Sequence, residues 1–171
     1  MSATPGYFDH NATTPMTAAA RAAWLETEER HWHNPSGLYR EAGGAGRVLG
    51  DLRAGLADRF GIDDPERVVF TSGATEANNA VVRHLAERSP GAVAVPEIEH
   101  PSVAAAVEGC FGKGRTRPLP VDGGTGATAL AGLAEGISRG GIGAVSAMAA
   151  NNETGALQPW REIAALCREA R

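Results

Sequence analysis

Residues 92–111 read AVAVPEIEHPSVAAAVEGCF, and this stretch carries the pattern that decides the fold class. Residues 92–95 form a continuous apolar run, which is typical of a buried strand. Pro101 suits the first position of a helix, where its missing N–H leaves no bond unmade. The apolar face of that helix carries Val103, Val107, Cys110 and Phe111. The stretch therefore predicts one strand followed by one helix, the repeating unit of α/β proteins.

Similar pairs of strand and helix lie on both sides of this unit. The other predicted strands are residues 68–70, 115–119 and 142–148. The helices that follow them carry the apolar residues Ala77, Val81, Leu85, Leu130, Leu133, Ile137, Trp160, Ile163, Ala164 and Cys167. Strands that alternate with helices indicate right-handed crossovers, so we expect an α/β fold with a mostly parallel sheet and helices on both faces. No sequence repeat is visible beyond this alternation.

A longer helix is predicted ahead of these units. Its apolar stripe consists of Ala45, Leu49, Leu52, Leu56 and Phe60. Gly61 is placed to end it. Glycines in its first half weaken the helix by up to about 1 kcal/mol each relative to alanine, so either the helix packs closely there or it begins later. These glycines are Gly43, Gly44, Gly46 and Gly50. The segment 1–15 precedes the first helix and is expected to pack outside the main sheet.

The composition excludes several classes of partner. Of the 171 residues, 43% are hydrophobic and 21% are charged, and the net charge of -4 provides no basic surface for nucleic acid. No apolar run approaches the ~20 residues that span a bilayer, and the first residues lack the pattern of an export signal. Two cysteines, Cys110 and Cys167, are too few for a disulfide framework, and both fall on predicted apolar helical faces. We therefore expect a cytoplasmic protein with no membrane or nucleic-acid partner.

The residues TSGATE, at positions 71–76, follow the first predicted strand. The small residues Gly73 and Ala74 would let backbone N–H groups and the Thr75 hydroxyl approach an anion at the helix start, where the helix dipole favours negative charge. The pattern favours a phosphate site, although a purely structural turn explains the small residues as well. Neither dinucleotide nor nucleoside-triphosphate motifs occur in the sequence.

His100 lies between the strand at 92–95 and the helix that opens at Pro101. The positive end of the helix dipole disfavours the imidazolium form there. A neutral ring at the carboxyl end of a strand can stack on an aromatic ligand or transfer a proton, and a helix-capping histidine is the alternative. His31 and His33 lie close together but lack further ligand residues, so we interpret them as solvated loop residues and expect no metal site.

Asn151 and Asn152 follow the last predicted strand. Side-chain amides can orient a ligand oxygen through directional hydrogen bonds, and the alternative is an Asx turn leading to Gly155. Ligands of parallel sheets bind beyond the carboxyl ends of the strands. Because Thr75, His100 and Asn152 all follow strands, we expect them to share a pocket for a ligand with a phosphate, a stackable ring and a ring oxygen.

Five blocks of this sequence resemble the motifs of cysteine desulfurases, pyridoxal-phosphate enzymes of the class V aminotransferase superfamily. They are residues 7–15 (YFDHNATTP), 34–36 (NPS), 70–76 (FTSGATE), 99–100 (EH) and 151–155 (NNETG). The blocks occur in the family's order and at compatible spacing, and the resemblance covers essentially the whole chain. It implies an incomplete large domain of a type I pyridoxal-phosphate-dependent transferase over residues 16–171, acting as a homodimer.

The resemblance also implies roles for individual residues. Residues 73–75 would hold the phosphate of pyridoxal 5'-phosphate, and His100 would stack on the pyridine ring and take part in catalysis. Asn152 would contact the ring oxygen or the substrate carboxylate, and Asn34 would contact the substrate. Full-length relatives convert L-cysteine to L-alanine and pass the sulfur as a persulfide to an acceptor protein in iron-sulfur cluster assembly or thiolation.

The departures from the family pattern concern the reacting groups. In the family, the Schiff-base lysine and the persulfide-forming cysteine follow the stretch that this sequence covers. Lys113, the only lysine, lies between Gly112 and Gly114 in a predicted helix-to-strand connection, at the opposite end of the sheet from the expected site. Cys110 and Cys167 have the spacing of helical core residues and do not fit a sulfur carrier. The resemblance therefore implies a fragment that is inactive alone.

Two other interpretations stay open. A selenocysteine lyase or another class V aminotransferase would share these blocks. In a different class, the chain would be a non-catalytic fragment that acts only in cofactor binding or dimerisation. A complementary chain that carries the lysine and the cysteine would separate these interpretations.

Overall fold

A computed structural model describes residues 6–170 of the chain. The chain divides into two compact units, of which the first ends at Phe70 and the second begins at Thr71. Residues 1–5, which belong to the predicted segment 1–15, lie outside the described residues. The described part of the first unit is built from helices, and the second unit contains the sheet.

The first unit has two main helices. Its elements are α1 (Ala18–His31), α2 (Arg40–Phe60) and a 3-10 turn at Pro65–Arg67. α1 begins where the Thr17 hydroxyl accepts a hydrogen bond from the N–H of Ala20 at 3.2 Å. α2 ends at Gly61, as predicted, and the left-handed φ of 64° there lets the Gly61 N–H bond back to the last turn of the helix.

Two of the four glycines in the first half of α2 lie in contact with groups outside the helix. The helix begins at Arg40, ahead of all four glycines. A Cβ atom added to Gly44 would lie 3.6 Å from Nδ1 of His31. A Cβ added to Gly46 would lie 3.4 Å from the carbonyl oxygen of Pro35. The later helix start considered for these glycines is wrong. The packing explanation applies only to Gly44 and Gly46, at the distances of ordinary van der Waals contact, because a Cβ added to Gly50 would meet nothing within 4 Å.

The apolar stripe predicted for α2 is buried only in part. The buried residues of the helix are Ala42, Ala45 and Ala57. Leu52 and Phe60, which belong to the predicted stripe, are exposed. Small residues, rather than the leucines, therefore form the buried face of this helix.

The strand predicted at residues 68–70 is wrong. The backbone at Val68 is extended, but it pairs with no strand in the part of the chain that the structure describes. The Val68 carbonyl instead accepts a hydrogen bond from Nε of Arg53 at 3.0 Å. The side chain of Val69 is 75% exposed. An extended apolar run joins a sheet only when neighbouring strands bond its backbone groups, and this run has no such neighbour among residues 6–170.

The second unit alternates helices with strands, as predicted. Its elements are α3 (Ala74–Arg88), β1 (Ala92–Pro96), α4 (Pro101–Arg115), β2 (Thr116–Leu119), α5 (Leu133–Ser138), β3 (Ile142–Val145) and α6 (Trp160–Glu169). β3 is shorter than the predicted strand 142–148. Leu130 lies ahead of α5, rather than in it, because Gly132 adopts a left-handed φ of 79° just before the helix begins.

β1 is the central strand of a parallel sheet with the order β2-β1-β3. All of its residues are buried, as expected for a continuous apolar run in a parallel sheet. The predicted α/β class with a mostly parallel sheet is confirmed.

Helices cover both faces of β1, which also confirms the prediction. Alternate residues of a strand point to opposite faces. One face packs in a cluster of Val82, Val93, Val95, Ala106, Val107 and Phe111, drawn from α3, β1 and α4. The other packs in a cluster of Ala94, Leu119, Leu133 and Ile163, drawn from β1, β2, α5 and α6. On α3, Val82 is buried and the predicted Val81 is exposed.

The two cysteines differ in their surroundings. Cys167 is half-buried against the second cluster, as predicted. Cys110 is exposed, so its predicted place in a helical core is wrong: no element among the described residues covers that position of α4. Both thiols are free. None of the described helices combines the length and the apolar content needed to cross a bilayer.

Candidate functional site

The N-terminus of α3 presents backbone donors to a ligand. Gly73 is the N-cap residue, and the N–H groups of Ala74 and Thr75 belong to the first turn, where no carbonyl of the helix can accept them. A Cβ atom added to Gly73 would meet nothing within 4 Å, so the space beside this turn is open. Free N–H groups at the positive end of a helix dipole favour an anion.

Glu76 closes the same turn. Its Oε2 accepts hydrogen bonds from the backbone N–H and from the hydroxyl of Ser72, both at 2.7 Å. These bonds, the backbone bond first, hold the pKa of the Glu76 carboxyl below its ordinary value of 4.5. The carboxylate bonds Ser72 and leaves the N–H groups of Ala74 and Thr75 to a ligand. Its negative charge opposes a bound anion at this turn.

His100 is the N-cap residue of α4. Its Nδ1 accepts a hydrogen bond from the backbone N–H of Ser102 at 3.1 Å and lies 2.8 Å from the Ser102 hydroxyl. His100 therefore caps α4, which confirms the alternative interpretation of this residue. Capping does not compete with a ligand role of His100, because the cap uses Nδ1, whereas a ligand would use the ring face and Nε2.

Asn78 connects α3 to this cap. Its Nδ2 donates to Oγ of Ser102 at 2.9 Å. Neither Asn78 nor Ser102 was identified from the sequence, since they are 24 positions apart and nothing local pairs them. One local signal could have indicated Ser102: a serine directly after Pro101 has a side chain that can reach back to the residue that caps the helix.

Thr75 and His100 line one open cavity, which has a volume of about 440 Å³. Asn79, Ser102 and Ala106 also line it. The predicted phosphate turn and the predicted stacking histidine are thus brought together in the groove between α3 and α4.

Asn152 lies on a tight turn at residues 151–156, which we call the Asn151 turn. Asn151 Oδ1 accepts from the backbone N–H groups of Glu153 and Thr154, at 3.0 and 2.9 Å, so the Asx interpretation of Asn151 is present. Asn151 Nδ2 donates to the carbonyl of Ile98 at 3.3 Å, which ties the turn to the loop just before His100. Asn152 itself is exposed and does not line the cavity of Thr75 and His100, so the predicted common pocket holds two of the three residues and the prediction is wrong for Asn152.

Residues 122–127 form a second copy of this turn, which we call the Asp122 turn. Asp122 Oδ1 accepts from the N–H groups of Gly124 and Thr125 at 3.1 and 2.8 Å, as Asn151 does in its own turn. The glycine that closes each turn has a left-handed φ, 70° at Gly126 and 73° at Gly155. The two sequences, DGGTGA and NNETGA, share their last three residues, so the absence of a further repeat inferred from the sequence is wrong at this point.

Asn34, the predicted substrate contact, belongs to the first unit. Its Oδ1 accepts from the backbone N–H of Ser36 at 3.1 Å, and the residue is exposed. His31 and His33 precede this segment and are half-buried, with the His33 ring stacked 4.1 Å from that of Trp32. Their interpretation as solvated loop residues is therefore wrong. Across residues 6–170, no three His, Cys, Asp or Glu side chains are grouped to hold a metal ion.

Lys113 lies in the last turn of α4, after a kink at Gly112 where φ is 66°. It precedes β2, whereas His100 follows β1. Because β1 and β2 are parallel, these positions belong to opposite ends of the sheet. Lys113 is therefore remote from the cavity that His100 lines.

The chain is similar in sequence to proteins of known family. The profile of the family described as aminotransferase class-V matches residues 6–171. A cysteine desulfurase from Frankia sp. (strain EuIK1) is 34% identical over 96% of this chain and 41% of its own length. A selenocysteine lyase from Xenopus laevis is 34% identical over 92% of this chain and 40% of its own length.

A solved structure of a NifS-like protein superposes on this chain with a TM-score of 0.85 and 27% identity. The superposition covers 96% of this chain and 46% of that one. The chain thus spans less than half the length of the relatives that it matches.

Proposed function

The chain belongs to the aminotransferase class-V family, and from that membership we propose that it supplies the pyridoxal 5'-phosphate site of a cysteine desulfurase. One observation carries the proposal. Thr75, in the first turn of α3, and His100 line the same cavity, so a residue of the proposed anion site and a residue with a flat ring adjoin the same space. A phosphorylated pyridine requires both.

The donor set at α3 fits a phosphate. The N–H groups of Ala74 and Thr75 are unpaired within the helix, and the Thr75 hydroxyl adds a third donor. Gly73 has no Cβ, and the space that a Cβ would enter is open, so the backbone can approach phosphate oxygens closely. In this proposal residues 73–75 hold the phosphate.

His100 and Asn152 act on the rest of the ligand in this proposal. The His100 ring stacks on the pyridine and holds a proton at Nε2, since Nδ1 is used by the cap. Asn152 contacts the ring oxygen or the substrate carboxylate from the Asn151 turn, and Asn34 contacts the substrate. Pyridoxal phosphate, when bound, withdraws electrons from the α-carbon of an amino acid.

The proposed reaction of the whole protein converts L-cysteine to L-alanine. The sulfur leaves as a persulfide for an acceptor protein, in a homodimer located in the cytoplasm, where free thiols such as Cys110 and Cys167 persist. These 171 residues bind and orient the cofactor but do not complete the reaction, because Lys113, the single lysine, lies at the wrong end of the sheet.

A second candidate is selenocysteine lyase. It is favoured by the Xenopus laevis relative of that name, whose 34% identity equals that of the Frankia desulfurase. Both candidates use the same proposed cofactor site, so the binding experiment below tests them together, and competition between L-cysteine and L-selenocysteine in a catalytically complete protein distinguishes them.

Binding of pyridoxal phosphate to the 171-residue chain tests the proposal. We expect saturable binding, measured by equilibrium dialysis, that Thr75→Val weakens roughly tenfold, because a hydrogen bond to a charged group contributes about 1.5 kcal/mol or more. His100→Ala should also weaken it, and inorganic phosphate should compete. Thr27→Val, an exposed threonine of α1, is the matched control. Binding that is absent, or equal in all variants, would refute the proposed site.

Lys113 provides a separate test of completeness. Borohydride treatment of the chain with pyridoxal phosphate should give no stoichiometric label on Lys113, and no sulfide should form from L-cysteine above a cofactor-only blank. Stoichiometric labelling of Lys113 would overturn its assignment as remote from the cofactor, and turnover would show that the residues present suffice for the reaction.

A further inference from the structure

We propose that Asn78 and Ser102 are positioning residues that hold the His100 ring as a single tautomer, with its proton on Nε2. The inference rests on the proposed function, in which His100 faces the cofactor, and it adds the residues that orient the ring. Neither residue belongs to the sequence motifs that suggested the cofactor site. Both are identified by their hydrogen bonds in the structure.

Two polar groups of Ser102 converge on one ring nitrogen. The backbone nitrogen of Ser102 lies 3.1 Å from Nδ1 of His100, and the hydroxyl oxygen lies 2.8 Å from it. A backbone N–H can only donate, so Nδ1 must present its lone pair. A neutral imidazole carries one proton, which is therefore on Nε2.

Asn78 sets the direction of the Ser102 hydroxyl. Its Nδ2 donates to Oγ at 2.9 Å. An oxygen that accepts this bond keeps its own hydrogen for another acceptor, and Nδ1 of His100 is the acceptor within reach. The bonds thus run in one direction, from Asn78 through Ser102 to His100.

The link is better protected from water than the ring that it orients. Asn78 and Ser102 are half-buried, whereas His100 is exposed. Competition from water is weaker at a half-buried bond, so the link can hold a preference that an exposed ring alone would lose. The link also joins α3, which begins with the Thr75 turn, to the first turn of α4.

A fixed tautomer determines what His100 offers a ligand. With Nδ1 occupied, the remaining ring nitrogen is a donor and not an acceptor. The opposite tautomer would set an Nδ1 proton against the N–H of Ser102 and leave that donor without a partner. The orientation and the tautomer of the His100 ring are therefore set before a ligand binds.

The ring nitrogen signals of His100 in ¹⁵N NMR spectra test this inference without any ligand. The 171-residue chain is measured at a pH at which the imidazole is neutral, and His100→Gln identifies the His100 signals among the five histidines. We expect the pattern of a protonated Nε2 and an unprotonated Nδ1 in the parent chain.

Asn78→Asp is the decisive variant. A carboxylate accepts the hydroxyl hydrogen of Ser102, which turns an oxygen lone pair toward Nδ1 of His100. We expect the fraction of the Nδ1–H tautomer to rise roughly fivefold, the equilibrium effect of the net strength of one hydrogen bond. Asn79→Asp is the control of equal charge, because the Asn79 amide bonds the carbonyl of Thr75 and not Ser102.

Two Ser102 variants cover the case in which Asn78→Asp fails to fold. Ser102→Thr keeps the hydroxyl and should keep the tautomer, whereas Ser102→Ala should raise the Nδ1–H fraction. An unchanged tautomer in every folded variant would mean that the backbone cap alone fixes the ring, and would overturn the inference. Failure of pyridoxal phosphate to bind would instead refute the proposed function and leave this result intact.

Discussion

Gln158 and Thr128 bond each other twice across 30 positions of the chain. The Gln158 Oε1 accepts from the backbone N–H of Thr128 at 2.8 Å and from its hydroxyl at 2.9 Å. The residues are only 6% and 4% exposed. The Nε2 of Gln158 donates to the carbonyls of Gly126 and Ala156, at 3.0 and 3.1 Å. One buried amide, with its hydrogen bonds satisfied, therefore fastens the Asp122 turn to the Asn151 turn.

Gln158→Leu is expected to lower the free energy of unfolding by about 3 kcal/mol, because it leaves buried polar groups of Thr128 without partners. Thr128→Val removes only the hydroxyl bond and should cost about 1 kcal/mol. Urea titrations of the parent chain and both variants provide the measurement. A leucine variant as stable as the parent would contradict the fastening role of the amide.

Asp122→Asn tests the equivalence of the two turns, since asparagine occupies the matching position 151. Hydrogen bonds from the side chain and backbone of Thr125, and then from the backbone of Gly124, lower the pKa of the Asp122 carboxyl below its ordinary value of 3.8. A lowered folded-state pKa gives stability that is present above 3.8 and is lost as the pH falls through the folded value. Asparagine accepts the same bonds without titrating.

We therefore expect the Asp122→Asn variant and the parent to have similar stability near neutral pH, and the parent to lose stability more steeply in acid. Unfolding free energies measured over a series of pH values check this. Parallel curves for the two proteins would show that the Asp122 carboxylate does not stabilise its turn.

Gly61 and Gly55 provide a pair of identical substitutions with opposite expected signs. Gly61→Ala forces a side chain into the left-handed conformation at the end of α2, which costs about 1 kcal/mol. Gly55→Ala lies in the helix interior, where a Cβ meets nothing within 4 Å, and should stabilise the helix by about 1 kcal/mol. Urea unfolding followed by circular dichroism measures both. A Gly61→Ala variant as stable as the parent or more stable would contradict a left-handed end of α2 at Gly61, and a destabilised Gly55→Ala variant would contradict open space beside Gly55.

The sequence was sufficient where the determining signal is local. The strand β1 and the start of α4 follow from an apolar run and from Pro101 at the first helical position, both within one short stretch. The end of α2 at Gly61 is equally local. These features required no knowledge of distant residues, and the structure confirms them.

The remaining features depend on distant partners. Residues 68–70 have the composition of a strand, but a strand also needs neighbours, and the carbonyl of Val68 bonds Arg53 instead. The bonds from Asn78 to Ser102 and from Thr128 to Gln158 join positions that no sequence pattern relates. The capping role of His100 was foreseen only as an alternative, because the identity of its partner depends on the geometry of the helix start.

Ser72 and Glu76 provide a test within the candidate phosphate turn. Ser72→Ala removes the hydroxyl bond to the Glu76 carboxylate and keeps the backbone bond, which is the larger cause of its lowered pKa. The pKa of Glu76 should therefore rise part of the way toward 4.5, as measured by ¹³C NMR titration of its carboxyl carbon. Ser138→Ala, whose hydroxyl bonds a backbone carbonyl on α5, is the control and should leave Glu76 unchanged.

The same shift fixes the sign of the pH dependence at this turn. Because the folded-state pKa of Glu76 is lowered, its contribution to stability is present above pH 4.5 and is lost as the pH falls through the folded value. Ser72→Ala should make the loss of stability in acid less steep. Glu76→Gln should abolish the part of that loss that comes from protonation of Glu76. Glu76→Gln also removes the negative charge beside the N–H groups of Ala74 and Thr75, so it should strengthen the binding of inorganic phosphate. Weaker phosphate binding in this variant would place the anion away from the start of α3.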